Sequence, residues 1–205
     1  MKQSSLIQSN IAVLAILSTF IIISLNLPVW LSQGSGQRKW SGSLLSKSGV
    51  FYTNFSCNSK NQSFCNGLLT LWRSGVVLLS FDTITVLCFL MALILTMRMI
   101  NEMKVIKGWI LGLTVCGMAF QLLGFGFWAI YSKGTFGDCR RSFYDSADAG
   151  VCLESGSIFA GVLVIGSGLE VGFLVYSLYF SEKNILSSES KANSDPEIKE
   201  LGVVM

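Results

Sequence analysis

Four long apolar runs, Leu6–Leu27, Gly75–Met97, Gly108–Tyr131 and Gly156–Phe180, alternate with polar connections along the chain. Each meets the roughly 20 residues that an α-helix needs to cross about 30 Å of hydrocarbon, so four transmembrane helices are expected. The connections are residues 28–74, 98–107 and 132–155, with a short head (1–5) and a polar tail (181–205). The brevity of 98–107 makes the second and third helices antiparallel neighbours. The tail, rich in Ser, Glu, Lys and Asn, reads as solvated and disordered.

The longest connection has strand character. Pro28 stops the first helix, and Trp30 is expected at interfacial depth. Alternation through Val50–Cys57 puts Phe51, Thr53, Phe55 and Cys57 on one face and Asn54 and Ser56 on the other. Asn58-Ser59-Lys60-Asn61 is turn chemistry, and Phe64-Cys65 resumes the strand. The expectation is a hairpin pinned by Cys57–Cys65.

Composition agrees with a single integral-membrane domain: 205 residues, 51% hydrophobic, with a mean hydropathy of +0.58. The net charge of +3 is small and spread out, which speaks against a nucleic-acid surface. Basic residues do not orient the spans. Seven (Lys2, Arg98, Lys104, Lys107, Lys183, Lys191, Lys199) fall on the side of the termini and eight on the other, although Met99–Lys107 with Arg98 is locally basic.

Cysteines and glycosylation sites do orient them. The sequons at Asn54 and Asn61, with Cys57 and Cys65, lie in the first gap, and Cys139 and Cys152 lie in the third. With four spans these gaps share one face, and both modifications require it to be lumenal or extracellular. A multi-pass plasma-membrane protein with both termini cytoplasmic follows. The alternative, a cleaved signal peptide with Ile11–Leu25 as its core, lacks a small-x-small cleavage site, because Leu27-Pro28-Val29-Trp30 comes next.

The chain has no histidine, which removes Ser-His-Asp and Cys-His catalysis and His-ligated metals. Aspartyl intramembrane proteolysis needs two aspartates within spans, and only Asp82 lies in one. Gly166–Gly172 fails the G-x-G-x-x-G spacing. No catalytic group, cofactor or metal is therefore expected. Gly108, Gly112, Gly168 and Gly172 form two small-xxx-small pairs, expected to pack helices inside the bundle or, alternatively, against a partner's helix.

Glu170 lies roughly 21 Å into the fourth span at 1.5 Å per residue. A carboxylate there must be neutral, paired or facing a polar interior, and Gln121 is the expected partner. A partner-facing carboxylate and an ion or proton path are the alternatives. Asp82, roughly 10 Å inside the second span, is expected to make an interior polar contact with water or Asn26. The four loop cysteines can pair in three ways, of which local pairing within each loop suits the hairpin. Cys88 and Cys116 are expected to be core thiols or lipidated.

The large first loop with Pro28-x-Trp30, Gly49-Val50-Phe51, Cys57 and Cys65, then Arg73 before the second span, resembles the claudin/peripheral myelin protein/stargazin superfamily. Its signature is Trp, Gly-Leu-Trp and two cysteines. Phe51 replaces the second Trp here, and five residues separate it from Cys57 rather than two. The resemblance implies an all-α membrane fold: a left-handed four-helix transmembrane bundle with a small, disulfide-pinned, extracellular antiparallel β-sheet. It also implies a non-enzymatic role, either adhesion or modulation of a channel.

The expected partners are other membrane proteins, a cation channel among them, or further copies of the chain, within the lipid bilayer. Val203-Val204-Met205 has the form of a hydrophobic PDZ ligand, although three such residues are commonly ordinary tail. An enzyme alternative is a four-span thiol oxidase using loop cysteine pairs and a quinone, but the spacings here are wider than Cys-x-x-Cys. A transporter working through Glu170 would normally show an inverted repeat, which the sequence lacks.

Overall fold

The computed structural model describes residues 3–33, 40–47, 50–55, 62–98, 106–132 and 152–180. The helices are α1 (Gln3–Leu25), α2 (Gln62–Arg98), α3 (Ile106–Ser132) and α4 (Ser155–Val175), the last continued by a π-helical turn, Tyr176–Phe180. All four are long and apolar enough to cross a membrane, and the chain is a four-span membrane protein. α1 packs on α2 and α4, and α3 packs on the same two, so the helices form a ring in chain order.

Each helix buries one stripe. In α3 the stripe is Lys107, Ile110, Thr114, Gly117, Gln121, Gly124, Trp128 and Ser132, in steps of three or four that follow the helical repeat. Leu122, Ile130, Ile165 and Leu169 stay exposed on the outer surface, while Ser18, Thr85, Thr114 and Ser167 are buried. This apolar exterior suits lipid. Inside, hydroxyls satisfy themselves on the preceding turn: Ser18 donates to Leu14 O at 2.8 Å and Thr114 to Ile110 O at 2.9 Å.

The close helix approaches fall elsewhere than the sequence suggests. A Cβ at Gly117 would lie 2.6 Å from Phe89 Cε1, and one at Gly124 would lie 2.7 Å from Phe81 Cβ. These two glycines let α2 and α3 touch. Gly108, Gly112 and Gly172 are exposed, and a Cβ on any of them would meet nothing within 4 Å; Gly168 would meet only Met118 Sδ, at 3.9 Å. Within the bundle, the two small-xxx-small pairs do not bring helices together.

A five-stranded antiparallel sheet covers one end. β1 (Leu31–Gln33), β2 (Trp40–Gly42), β3 (Ser46–Lys47) and β4 (Val50–Phe51) come from the connection between α1 and α2; β5 (Cys152–Leu153) precedes α4. The order is β4-β3-β2-β1-β5, with Leu31 opposite Gly42 on one side and Leu153 on the other.

Three local expectations are corrected here. The strand beginning at Val50 ends at Phe51, and a 3-10 turn (Tyr52–Asn54) follows. Tyr52 is the buried residue, whereas Phe51 and Thr53 are exposed, so the proposed alternating face does not form. Phe64 and Cys65 belong to α2 and make no strand. That helix begins 13 residues before the expected boundary at Gly75, because Cys65, Leu68 and Leu71 continue its buried stripe against the sheet. Its 37 residues span about 55 Å, well beyond the hydrocarbon.

Trp30 seats the sheet on the bundle. It is fully buried, so it is core and not an interfacial anchor. Its indole donates to Ser24 O at 2.9 Å and meets the Trp128 ring edge-on, with centroids 5.3 Å apart. Its backbone N–H donates to Gly42 O at 2.8 Å, and its carbonyl accepts from Glu154 N at 3.1 Å. Leu31, Leu44, Tyr52, Leu68 and Leu71 complete this core.

Candidate functional site

Exposed aromatics mark the two membrane boundaries. Trp109 and Tyr176 sit near the end opposite the sheet, and Tyr131 sits near the sheet end. Trp109 and Tyr131 are 22 residues apart on α3, about 33 Å, which matches the thickness of a bilayer core.

Between these levels the ring of helices holds polar side chains. Thr85 Oγ1 lies 3.0 Å from Gly117 O, and Phe81 packs under Gly124. These contacts bracket Asp82 at the level of Gln121, near mid-membrane. Asn26, its expected neighbour, is exposed and bonds Ile22 O at 2.8 Å, so it does not serve Asp82.

Gln121 is buried and pairs with Ser167 at 2.5 Å, not with Glu170 one turn further along α4. Ser167 Oγ also lies 2.9 Å from Leu163 O. The single Ser167 hydroxyl proton thus has two acceptors in reach, Gln121 Oε1 and Leu163 O. Towards the end opposite the sheet, Asn10 Nδ2 donates to Ser177 Oγ at 2.8 Å, a contact the sequence reading missed.

Glu170 is 2% exposed and Asp82 3%. Among the described residues, Asp82 Oδ1, Glu170 Oε1 and Asn10 Oδ1 have no hydrogen-bond partner. An ionised carboxylate so placed is unfavourable by several kcal/mol. Glu170→Gln, which keeps shape and removes the charge, should leave the melting temperature within a few degrees of wild type. Glu170→Lys should lower it sharply, by about 3 kcal/mol or more in stability. Thermal unfolding in detergent micelles checks both, and a destabilising Gln variant would show that the charge itself matters.

The cap end carries the remaining candidates. Cys65 and Cys152 are both buried at the cap end. Cys57, Cys139, Gly49, Asn61 and the terminal Val203-Val204-Met205 lie outside the described residues. Asn54, at the end of the 3-10 turn, is exposed. Tyr52 donates its hydroxyl to Ser43 O at 3.0 Å, and burial raises its phenol above the ordinary range. Lys47 stands 5.9 Å over the Phe55 ring, and burial lowers its ammonium. On β4, the end strand of the sheet among the described residues, Val50 and Phe51 are 44% and 53% exposed.

Arg73 is exposed on α2 at the level of Tyr131, beside an open cavity of about 340 Å³. Cys88 is half-buried and Cys116 exposed, both as free thiols, so neither is a core residue. Among the described residues no three His, Cys, Asp or Glu side chains converge as a metal site. No protein-family model matches the chain, and no curated protein matches it.

Proposed function

We propose that this chain is a non-enzymatic, claudin-like membrane protein that acts by contact with other membrane proteins. Such a role takes the form of a cation-channel auxiliary subunit, as in stargazin-like proteins, or of an adhesion or junction component. In this reading the sheet end is extracellular, both termini are cytoplasmic, and the protein works at the plasma membrane. The observation that carries it is the sheet itself: five antiparallel strands seated on one end of the ring of helices, with the motif tryptophan, Trp30, fully buried at the base. An end strand, among the described residues, that exposes the apolar pair Val50 and Phe51 suits protein contact.

The test is purification of the full chain in mild detergent, alongside a Val50→Ser/Phe51→Ser variant. A channel subunit travelling with wild type and lost from the variant supports the auxiliary role. Side-by-side homopolymers, likewise lost, support adhesion. A monomer that reduces quinone while oxidising added dithiols would overturn both, and so would protease protection showing residues 28–74 in the cytosol.

A further inference from the structure

We propose that the groove between the sheet-end halves of α2 and α3 binds one phospholipid, holding its phosphate at Arg73 and an acyl chain on the aromatic surface below. The cavity, about 340 Å³, is lined by Thr70, Arg73, Ser74, Val77 and Tyr131. That volume lies in the range of small-molecule sites. It sits at the interfacial level set by Tyr131, where phospholipid headgroups lie.

The charges fit. Arg73 is the charged residue of the lining, and among the described residues no carboxylate lines the cavity. A guanidinium presents a planar fork that matches two phosphate oxygens. Thr70, one turn up the same helix, adds a hydroxyl, although this one already donates to Asn66 O at 2.9 Å and so offers its lone pairs to a headgroup donor.

From Tyr131, in the cavity lining, a row of aromatic rings continues toward mid-membrane. Tyr131 stacks on Phe127 with centroids 6.5 Å apart, Phe127 stacks on Phe81 at 6.3 Å, and Phe81 lies 5.8 Å from Phe120. This ladder descends from the interface into the hydrocarbon. A detached phosphate would use only the top of it, whereas a lipid uses both halves.

The test is native mass spectrometry of the full-length protein from bilayer discs containing equal amounts of phosphatidylcholine and a galactosyl diacylglycerol with the same chains. Wild type should retain phosphatidylcholine over the phosphate-free lipid by about tenfold, the size that one charge-assisted hydrogen bond gives. Arg73→Gln should erase the preference, and Arg73→Lys should keep part of it. Val77→Trp, which fills the groove and leaves the charge, should displace both lipids. Equal retention of the two lipids by wild type, or an unchanged preference in Arg73→Gln, would overturn the proposal. Competition by glycerophosphocholine as effective as that by whole lipid would also overturn it, because the ladder would then contribute nothing.

Discussion

Gly156→Ala is expected to destabilise the protein by about 1–3 kcal/mol alone and by almost nothing when Trp30 is already alanine. A methyl group at position 156 would stand 2.7 Å from Trp30 Cδ1 and 2.8 Å from Nε1. The ring cannot retreat. Trp128 holds its face edge-on, and its N–H is committed to Ser24 O, inside the last turn of α1. Trp30→Ala by itself should be the most damaging single change in the cap, at about 3–5 kcal/mol, because a fully buried indole and its hydrogen bond vanish together. That cavity then has room for the alanine methyl. Unfolding of wild type, both single variants and the double variant, followed by circular dichroism in detergent, measures the coupling. Simple additivity of the two changes would mean that the indole does not seat α4.

Gly75→Val should release the sheet from α2 while leaving the transmembrane helices in place. Here the obstacle is main chain: a Cβ would lie 2.5 Å from the Leu44 carbonyl oxygen and 2.8 Å from Leu45 Cδ2. A side chain can change rotamer, but the carbonyl of a residue between two strands moves only with the strands. Leu44 lies in the turn between β2 and β3, where Ser43 N donates to Ser46 O at 2.8 Å, so displacing it drags both strands. The expected result is hydrogen exchange accelerated by an order of magnitude or more in residues 40–55, with helix protection in α3 unchanged. Equal loosening of the whole molecule would show that cap and bundle unfold as one unit.

How much was legible beforehand depended on how far apart the cooperating residues stand. The four spans were plain, since a helix in lipid declares itself by length and hydropathy alone. The start of α2 was missed although its signal was present: Cys65, Leu68 and Leu71 keep helical spacing into Leu78. Polar neighbours at 62–67 and the attraction of pairing two nearby cysteines masked it.

Glycine spacing misled because two glycines four apart mark a smooth face without saying which way it points. Gln121 could have settled that, since a buried amide fixes the inward stripe and places Gly117 and Gly124 on it, with Gly108 and Gly112 off it. The pairing of Gln121 with Ser167 instead of Glu170 turned on a single helical turn, finer than depth counting resolves. Strand β5 had no readable signal. A cysteine and the leucine after it become a strand only because β1 is waiting for them.

That last pairing sets an order of events during synthesis. Ser32 meets Glu154, 122 positions later in the chain, and Gly156 N reaches back to Val29 O. Until the ribosome has made the residues just before the fourth helix, β1 stands as an open edge with one neighbour, β2, instead of two. The nascent protein therefore carries an unfinished seam through two membrane insertions, those of α2 and α3, and a chaperone or an early wrong partner has that whole interval in which to find it.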